Sequence, residues 1–183
     1  VPHIDGWFFT HPHSDHHNGL FSDSAVLNIG FLEEITVDQV YYRGGTDPES
    51  ATVDLAYRTS RDLGIPCDIM EKGDVLTFGD VRLECVWPLL GEGDSRISGG
   101  EEINNMSIVV RVDYGEHSGL LTGDLYTAGE KYILERVDQE LLDVDFLKVP
   151  HHGYNTSSSV ALLETVSPEL AVSVGRLPIP KKV

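Results

Sequence analysis

Short apolar runs separated by Gly, Pro and Asp predict that strands dominate the first half of the chain and that helices alternate with strands in the second. Residues 7–10 (WFFT) are aromatic and β-branched, which is typical of a buried strand. Further strands are predicted over residues 37–42, 67–70, 75–78, 81–87, 144–149 and 170–174, and a hairpin over residues 107–114 and 119–122.

Four segments predict helices, at residues 15–21, 48–63, 127–142 and 157–166. The third has Ile133, Leu134, Val137 and Leu141 at helical spacing. Residues 91–102 are rich in Gly, Ser and acidic side chains and predict a surface loop. Strands that give way to alternating strands and helices favour one layered α/β domain, and 183 residues suffice for one domain but are few for two.

The composition is that of a globular protein, with 40% hydrophobic residues and no apolar run near the roughly 20 residues of a membrane span. We therefore expect no membrane segment. The first residues (VPHID) lack the pattern of a signal peptide, so we expect that any targeting segment was removed or never existed. Cytoplasmic and extracellular locations both stay open.

The charge is strongly acidic, with 30 acidic against 13 basic residues and a net charge of -17. Such a chain repels polyanions at long range, which disfavours non-specific nucleic-acid binding. Bound divalent cations would offset this charge only near their site. Cys67 and Cys85 lie in apolar stretches without ligand spacing, and we expect buried thiols.

The segment HPHSDH places four ligand-type side chains, His11, His13, Asp15 and His16, directly after the first predicted strand. Imidazoles and carboxylates are good ligands for zinc and similar cations. Alternate residues of an extended segment point the same way, so His11 and His13 can hold one ion. Asp15 and His16 follow where the chain turns into a helix and can face a second ion. A chance surface cluster would crowd these groups without compensation, so we favour a metal site.

The segment matches the HxHxDH signature of the metallo-β-lactamase superfamily, and two later segments resemble that family in the expected order. Residues 120–125 (LLTGDL) resemble the segment whose Asp bridges two metals, and residues 147–153 (LKVPHHG) resemble the strand that supplies a late histidine. The resemblance implies an αββα sandwich over residues 1–183. Family members usually have further strands before the motif, so we expect an incomplete first sheet and a fragment of a longer chain.

The resemblance also implies a ligand set. The first metal would be bound by His11 and His13, the second by Asp15, His16 and His152, and Asp124 would bridge both. Of the two late histidines, His152 precedes Gly153 as the family ligand does, which leaves His151 to contact the substrate or to support a ligand. The expected catalytic residues are thus Asp15, Asp124 and His151. Zinc is the expected metal and manganese the alternative.

One departure from the family affects the first metal. The histidine that usually precedes the bridging Asp is missing from residues 102–107 (EINNMS), and we interpret His117 as a solvated turn residue. Water or Asn105 would complete the ligand set of the first metal, so we expect this metal to bind with lower affinity than the second.

The segments NNMSIVV, LLTGDL and LKVPHHG are together similar to the hydrolase domain of the bacterial competence DNA-uptake channel, and also to phosphorylcholine esterases. Residues 174–178 (VGRLP) depart from the Gly-His-Pro element expected there. Both relatives act on phosphodiesters, so the leading hypothesis is a dinuclear metal hydrolase whose metal-activated hydroxide cleaves a phosphodiester or another small molecule.

Two alternatives stay open: hydrolysis of a lactone, thioester or β-lactam, and a metal-binding module without turnover. The expected substrate-binding residues include Asn105. The others follow the late histidines, where the start of a helix would seat a phosphate: Tyr154, Thr156 and Ser157.

Overall fold

The computed structural model describes residues 2–11, 13–17, 35–43, 55–88 and 102–175, which contain eleven strands and six α-helices. The strands are β1 (His3–Ile4), β2 (Trp7–Phe9), β3 (Thr36–Val37), β4 (Val40–Arg43), β5 (Cys67–Met70), β6 (Val75–Phe78), β7 (Val81–Trp87), β8 (Val109–Tyr114), β9 (His117–Leu121), β10 (Phe146–Lys148) and β11 (Leu170–Val172). The helices are α1 (Ser14–His17), α2 (Leu55–Asp62), α3 (Glu102–Asn105), α4 (Thr127–Arg136), α5 (Gln139–Leu142) and α6 (Val160–Val166).

Two sheets carry most of the strands. The larger has the order β11-β10-β9-β8-β7-β6, antiparallel from β6 to β9 and parallel from β9 to β11. The smaller is parallel, with the order β2-β4-β5, and β1 pairs with β3 in a separate short ladder. Because β9 and β10 are parallel, the segments that follow them leave the sheet at the same edge.

The helices α4, α5 and α6 cover one face of the larger sheet. The core between them is apolar, and its members that are no more than 1% exposed include Trp87, Leu120, Ile133, Leu147 and Leu162. On the smaller sheet, α2 packs against β4 and β5. This arrangement puts a helical layer outside each sheet.

The inner faces of the two sheets meet in a second core formed by Met70, Cys85, Ile108 and Val110, with the stacked rings of Phe8 and Tyr41 against it. Burial raises the pKa of the Cys85 thiol to about 12, so this cysteine packs as a neutral apolar group. Cys67 is only half-buried. Helix, sheet, sheet and helix therefore follow one another, and the predicted αββα class is confirmed. No helix of the described ranges has the length and apolarity to cross a lipid bilayer.

Two predicted elements are each divided in two. The strand expected over residues 37–42 forms the end of β3 and most of β4, which pair with β1 and β2 respectively and so belong to different sheets. The helix expected over residues 127–142 ends at Arg136, because Asp138 accepts a hydrogen bond from the Glu140 N–H and starts α5. The helical spacing of apolar residues continues across this point, so it does not reveal that a new helix starts there.

The remaining differences lie at element ends. Helix α3 begins at Glu102, where a loop was expected. His117 opens β9 instead of lying in the turn, although its side chain is exposed as predicted. The expected start of the helix at residue 48, most of the expected loop at 91–102 and the end of the helix predicted at 15–21 lie outside the described residues.

A buried carboxylate ties α4 to α6. Glu130 is 0% exposed and accepts hydrogen bonds from the backbone N–H groups of Ser158 and Ser159, the second at 2.8 Å. Ser159 is also the N-cap of α6, since its side chain accepts from the Leu162 N–H. The N–H groups of Ser158, Ser159 and Leu162 around the start of this helix are therefore satisfied within the protein.

Replacing this carboxylate should destabilise the fold. We expect Glu130→Ala to lower the free energy of unfolding by about 1–3 kcal/mol, because two backbone N–H groups lose their acceptor. Glu130→Gln should fall between this variant and the wild type, since it keeps one acceptor oxygen. The measurement is urea denaturation followed by circular dichroism. The matched control is Glu135→Ala on the exposed side of α4, which should cost less than about 0.5 kcal/mol; equal losses in the two alanine variants would contradict the role of Glu130.

Candidate metal centre

Three chain segments converge at one edge of the sandwich. His11 follows β2 and leads into α1, Asp124 follows β9, and His152 follows β10. The Ile108 N–H donates to the Thr10 carbonyl at 2.9 Å and so joins the first segment to the larger sheet. The site is thus assembled where both sheets present their strand ends.

Asp124 is the centre of the cluster and is only 2% exposed. Its Oδ2 lies 3.0 Å from His16 Nε2, 3.2 Å from His152 Nε2 and 3.7 Å from His11 Nε2. The two Nε2 atoms of His16 and His152 are 3.3 Å apart. Several donor atoms therefore point into one small volume.

Asp15 supplies a fourth donor atom, which gives the cluster the number of ligands that a tetrahedral metal site needs. Asp15 Oδ2 lies 3.4 Å from His152 Nε2 and 3.9 Å from His16 Nε2. The ligand atoms of Asp15, His16, Asp124 and His152 all lie within 4.8 Å of one another. These are the residues that the sequence predicted for the second metal together with the bridging residue.

The histidines predicted for the first metal lie beside this set. The rings of His11 and His13 meet edge to face at 4.9 Å, and His11 and His16 are 4.1 Å apart between ring centroids. His13 is half-buried, whereas His11 is 1% exposed. The Thr10 hydroxyl lies 3.0 Å from His11 Nδ1, which directs Nε2 toward Asp124.

The electrostatics of the cluster keep His11 neutral and Asp124 charged. Burial lowers the pKa of His11 to about 3, helped by the neighbouring charge of His16. Burial alone would raise the pKa of Asp124, but the hydrogen bond from His16 and the charges of His16, His11 and Lys148 outweigh it and hold that pKa well below its usual range. Neutral imidazole and ionised carboxylate are the ligand forms that a metal requires.

Gly123 allows the backbone before Asp124 to turn inward. Its φ is +53°, and a Cβ there would stand 2.7 Å from the Ser107 Cβ and 3.0 Å from the Thr10 Cβ. The Ser107 hydroxyl accepts the Asp124 N–H at 3.1 Å. Any larger residue at position 123 would displace the carboxylate that organises the site.

The late histidines lie in a turn with unusual backbone angles. His151 and His152 have φ values of +43° and +56°, which non-glycine residues rarely adopt. The His152 Nδ1–H donates to the Val174 carbonyl at 2.5 Å, so its Nε2 faces the cluster with a free lone pair. Strain of this kind is common at functional sites, where surrounding contacts hold it in place.

His151 points to other partners. Its Nδ1 lies 2.5 Å from the Thr156 hydroxyl, and its ring lies 4.5 Å from the ring of Tyr126 and 5.1 Å from that of Tyr154. Tyr154 is 61% exposed. The structure thus separates the pair of histidines, with His152 toward Asp124 and His151 among hydroxyl and aromatic groups.

Two predicted substrate-binding residues have internal contacts instead. The Ser157 hydroxyl donates to the Pro150 carbonyl at 2.9 Å. The Asn105 Oδ1 accepts hydrogen bonds from the N–H groups of Tyr126 and Gly129, while its buried Nδ2 has no hydrogen-bond partner among the residues that the structure describes. The phosphate seat predicted at the start of α6 is occupied by the carboxylate of Glu130. Glu130 belongs to a different helix, α4. The spacing of residues along the sequence gives no sign that it contacts residue 158.

Lys148 is a site residue that the sequence reasoning did not single out. Its ammonium donates to the Gly123 carbonyl at 2.6 Å and lies 3.7 Å from Asp124 Oδ1. Burial lowers its pKa, and the charge of Asp124 opposes that shift. Its position directly before the VPHHG segment was the only signal in the sequence.

The donor set fits a bound cation. His11 Nε2 and Asp124 Oδ1 are buried without a hydrogen-bond partner among the described residues. Leaving such atoms unpaired is costly, and a cation between the imidazoles and carboxylates would satisfy His11 Nε2. Mixed His and Asp donors suit zinc and other divalent transition metals.

Comparison with solved structures defines the fold class. The chain superposes on CmlA, a diiron β-hydroxylase from Streptomyces venezuelae, with a TM-score of 0.58 over 93% of this chain and 35% of CmlA. The two sequences are 17% identical, so the likeness concerns the fold alone. No family model matches the chain.

Comparison with curated sequences gives nearer relatives. Uncharacterized protein YcaI of Escherichia coli K12 is 38% identical over 102 residues, which cover 56% of this chain and 12% of YcaI. ComE operon protein 3 of Bacillus subtilis 168 is 25% identical over 174 residues, which cover 94% of this chain and 20% of that protein. Competence protein ComA of Neisseria gonorrhoeae is 44% identical over 70 residues, which cover 38% of this chain and 10% of ComA.

The aligned parts span only a tenth to a fifth of these relatives. The predicted similarity to competence proteins is confirmed by these relatives, and the superposition on CmlA confirms the fold.

The metal-free protein should lose stability in mild acid. His11 has a folded pKa of about 3 against 6.5 when unfolded, so between these values the unfolded chain binds more protons. The free energy of unfolding should therefore fall as pH drops below 6.5, by up to about 1.4 kcal/mol per pH unit from this group. Urea denaturation in chelator between about pH 7 and about pH 5.5 measures the slope, because most carboxylates stay ionised in that range.

His11→Gln should flatten this slope because it removes the titrating group. His117→Gln, at an exposed position, should keep the wild-type slope. If both variants retained the wild-type slope, the buried neutral state of His11 would not be its cause.

Proposed function

We propose that the chain is a metal-dependent hydrolase that binds two divalent cations and cleaves phosphodiesters. The observation that carries the proposal is the convergence of donors from three segments on the buried Asp124 Oδ2, with His11 Nε2 unpaired beside it. Two observations support the choice of substrate: the similarity to a protein named for competence, and the resemblance of three sequence motifs to domains expected to act on phosphodiesters.

The ligand roles follow from the distances. Asp15, His16 and His152 would hold one cation and His11 and His13 the other, with Asp124 shared between them. Zinc fits these donors best, and manganese is the alternative. Two such ions lower the pKa of a water toward neutrality and stabilise the charge that develops on a phosphoryl group.

The surrounding residues would orient the substrate. Thr156 engages His151 Nδ1, which leaves His151 Nε2 to contact the scissile group or the leaving oxygen. The exposed ring of Tyr154 lies beside both late histidines and would contact the rest of the substrate. Because Glu130 occupies the start of α6, we assign the phosphate to the cations and not to that helix.

The two cations should bind with unequal affinity. The set around His152 has four protein donors within reach, whereas the Asn105 Oδ1, a candidate for the first metal, already accepts two backbone N–H groups. Partial chelation should therefore remove one ion before the other. We expect His13→Ala to lose only the weaker ion and His152→Ala to lose the stronger one, as measured by elemental analysis after graded chelation. Identical losses in the two variants would contradict the assignment.

The hydrolase is tested with two substrates assayed side by side at equal metal loading. Bis-(p-nitrophenyl) phosphate should be cleaved faster than nitrocefin, a β-lactam. Asp124→Ala should keep a cooperative melt without metal, bind fewer ions and lose diester hydrolysis by about a hundredfold or more, because a shared ligand and its charge are removed together.

The matched control is His117→Ala, an exposed position at the far end of β9, which should leave activity unchanged. Faster nitrocefin turnover would favour the lactamase or lactonase alternative. Metal binding without turnover of either substrate would favour a binding module.

A further inference from the structure

The two oxygens of Asp124 face different groups. Oδ2 lies among the Nε2 atoms of His11, His16 and His152, where the proposed metals bind. Within the described part of the chain Oδ1 accepts no hydrogen bond, and it lies 3.7 Å from the ammonium of Lys148. The carboxylate is 2% exposed and the lysine side chain 20%, so little water separates the pair.

The strand pairing explains how Lys148 reaches this position. Lys148 is the last residue of β10 and pairs with Leu121 of the parallel strand β9, three residues before Asp124. Four residues after Lys148, the chain has turned so that His152 contacts the other oxygen of the same carboxylate. One segment thus places an ammonium at one oxygen of Asp124 and an imidazole at the other.

We propose that Lys148 is a positioning residue that holds Oδ1 of Asp124 away from the metals, so that the carboxylate offers them a single oxygen. This inference rests on the proposed metal site. A free carboxylate can bind one ion through both oxygens, which would leave less of it for the second ion. The ammonium opposes that rotation because turning Oδ1 inward would break the ion pair at a buried position, where such a loss is costly.

A simpler role must be separated from this one. Lys148 Nζ also donates to the Gly123 carbonyl at 2.6 Å, and that bond could merely support the turn before Asp124. The carbonyl needs only an N–H donor, whereas Oδ1 needs a positive charge. Variants that keep one property without the other distinguish the two roles.

The test uses the visible absorption spectrum of the Co²⁺-loaded protein, which reports ligand number and does not require turnover. Lys148→Met removes charge and donor, Lys148→Gln keeps a neutral donor, and Lys148→Arg keeps the charge. We expect the first two to bind Co²⁺ with an altered spectrum, because Oδ1 joins the ligands, and to hydrolyse the diester at least tenfold more slowly. Lys148→Arg should restore the wild-type spectrum and most of the activity.

Lys131→Met, on the exposed face of α4, is the matched control and should behave as wild type. A wild-type spectrum in Lys148→Gln would overturn the inference and assign Lys148 to the Gly123 carbonyl, and so would an altered spectrum in Lys148→Arg. If Lys148→Met fails to fold, the Gln and Arg variants decide. Absence of Co²⁺ binding by the wild type would refute the metal site and this inference with it, whereas a bound but inactive wild type would refute only the hydrolase.

Discussion

The site depends on one buried carboxylate that stays ionised. Asp124 is almost wholly removed from water, and burial by itself would favour its neutral form. The imidazoles of His16 and His11 and the ammonium of Lys148 reverse that preference. These groups come from the helix and segment after β2 and from the end of β10, so the charge at the centre is stable only when both sheets are in place.

The backbone near the site is arranged to serve this carboxylate. Gly123 turns the chain inward at a point where no side chain would fit, and its carbonyl accepts both the Lys148 ammonium and the His151 N–H. The consecutive left-handed residues His151 and His152 aim their rings in different directions. Such conformations cost free energy, and the hydrogen bonds from His152 to Val174 and from His151 to Thr156 help to offset it.

The packing of α6 shows how a plausible local signal can be superseded. A helix that begins with Thr and Ser after two histidines is a reasonable phosphate site on sequence grounds. In the fold, Glu130 reaches from α4 and fills that place with a carboxylate of its own. The same contact holds the loop that carries Thr156. Helix α6 therefore supports the site by positioning this loop and not by binding a phosphate at its N–H groups.

The sequence by itself determined the fold class and the residues of the central cluster. Apolar periodicity is a local property, and it located most strands and helices of the described ranges, while the density of ligand side chains in HPHSDH and the motifs at Asp124 and His152 identified the cluster. Only the tertiary structure decided the split between sheets at Asp38, the position of Lys148 beside Asp124, the carbonyl of Val174 behind His152 and the carboxylate of Glu130 at α6. Each of these depends on groups far apart in sequence that meet only when strands and helices pack together, and no local pattern encodes such a meeting.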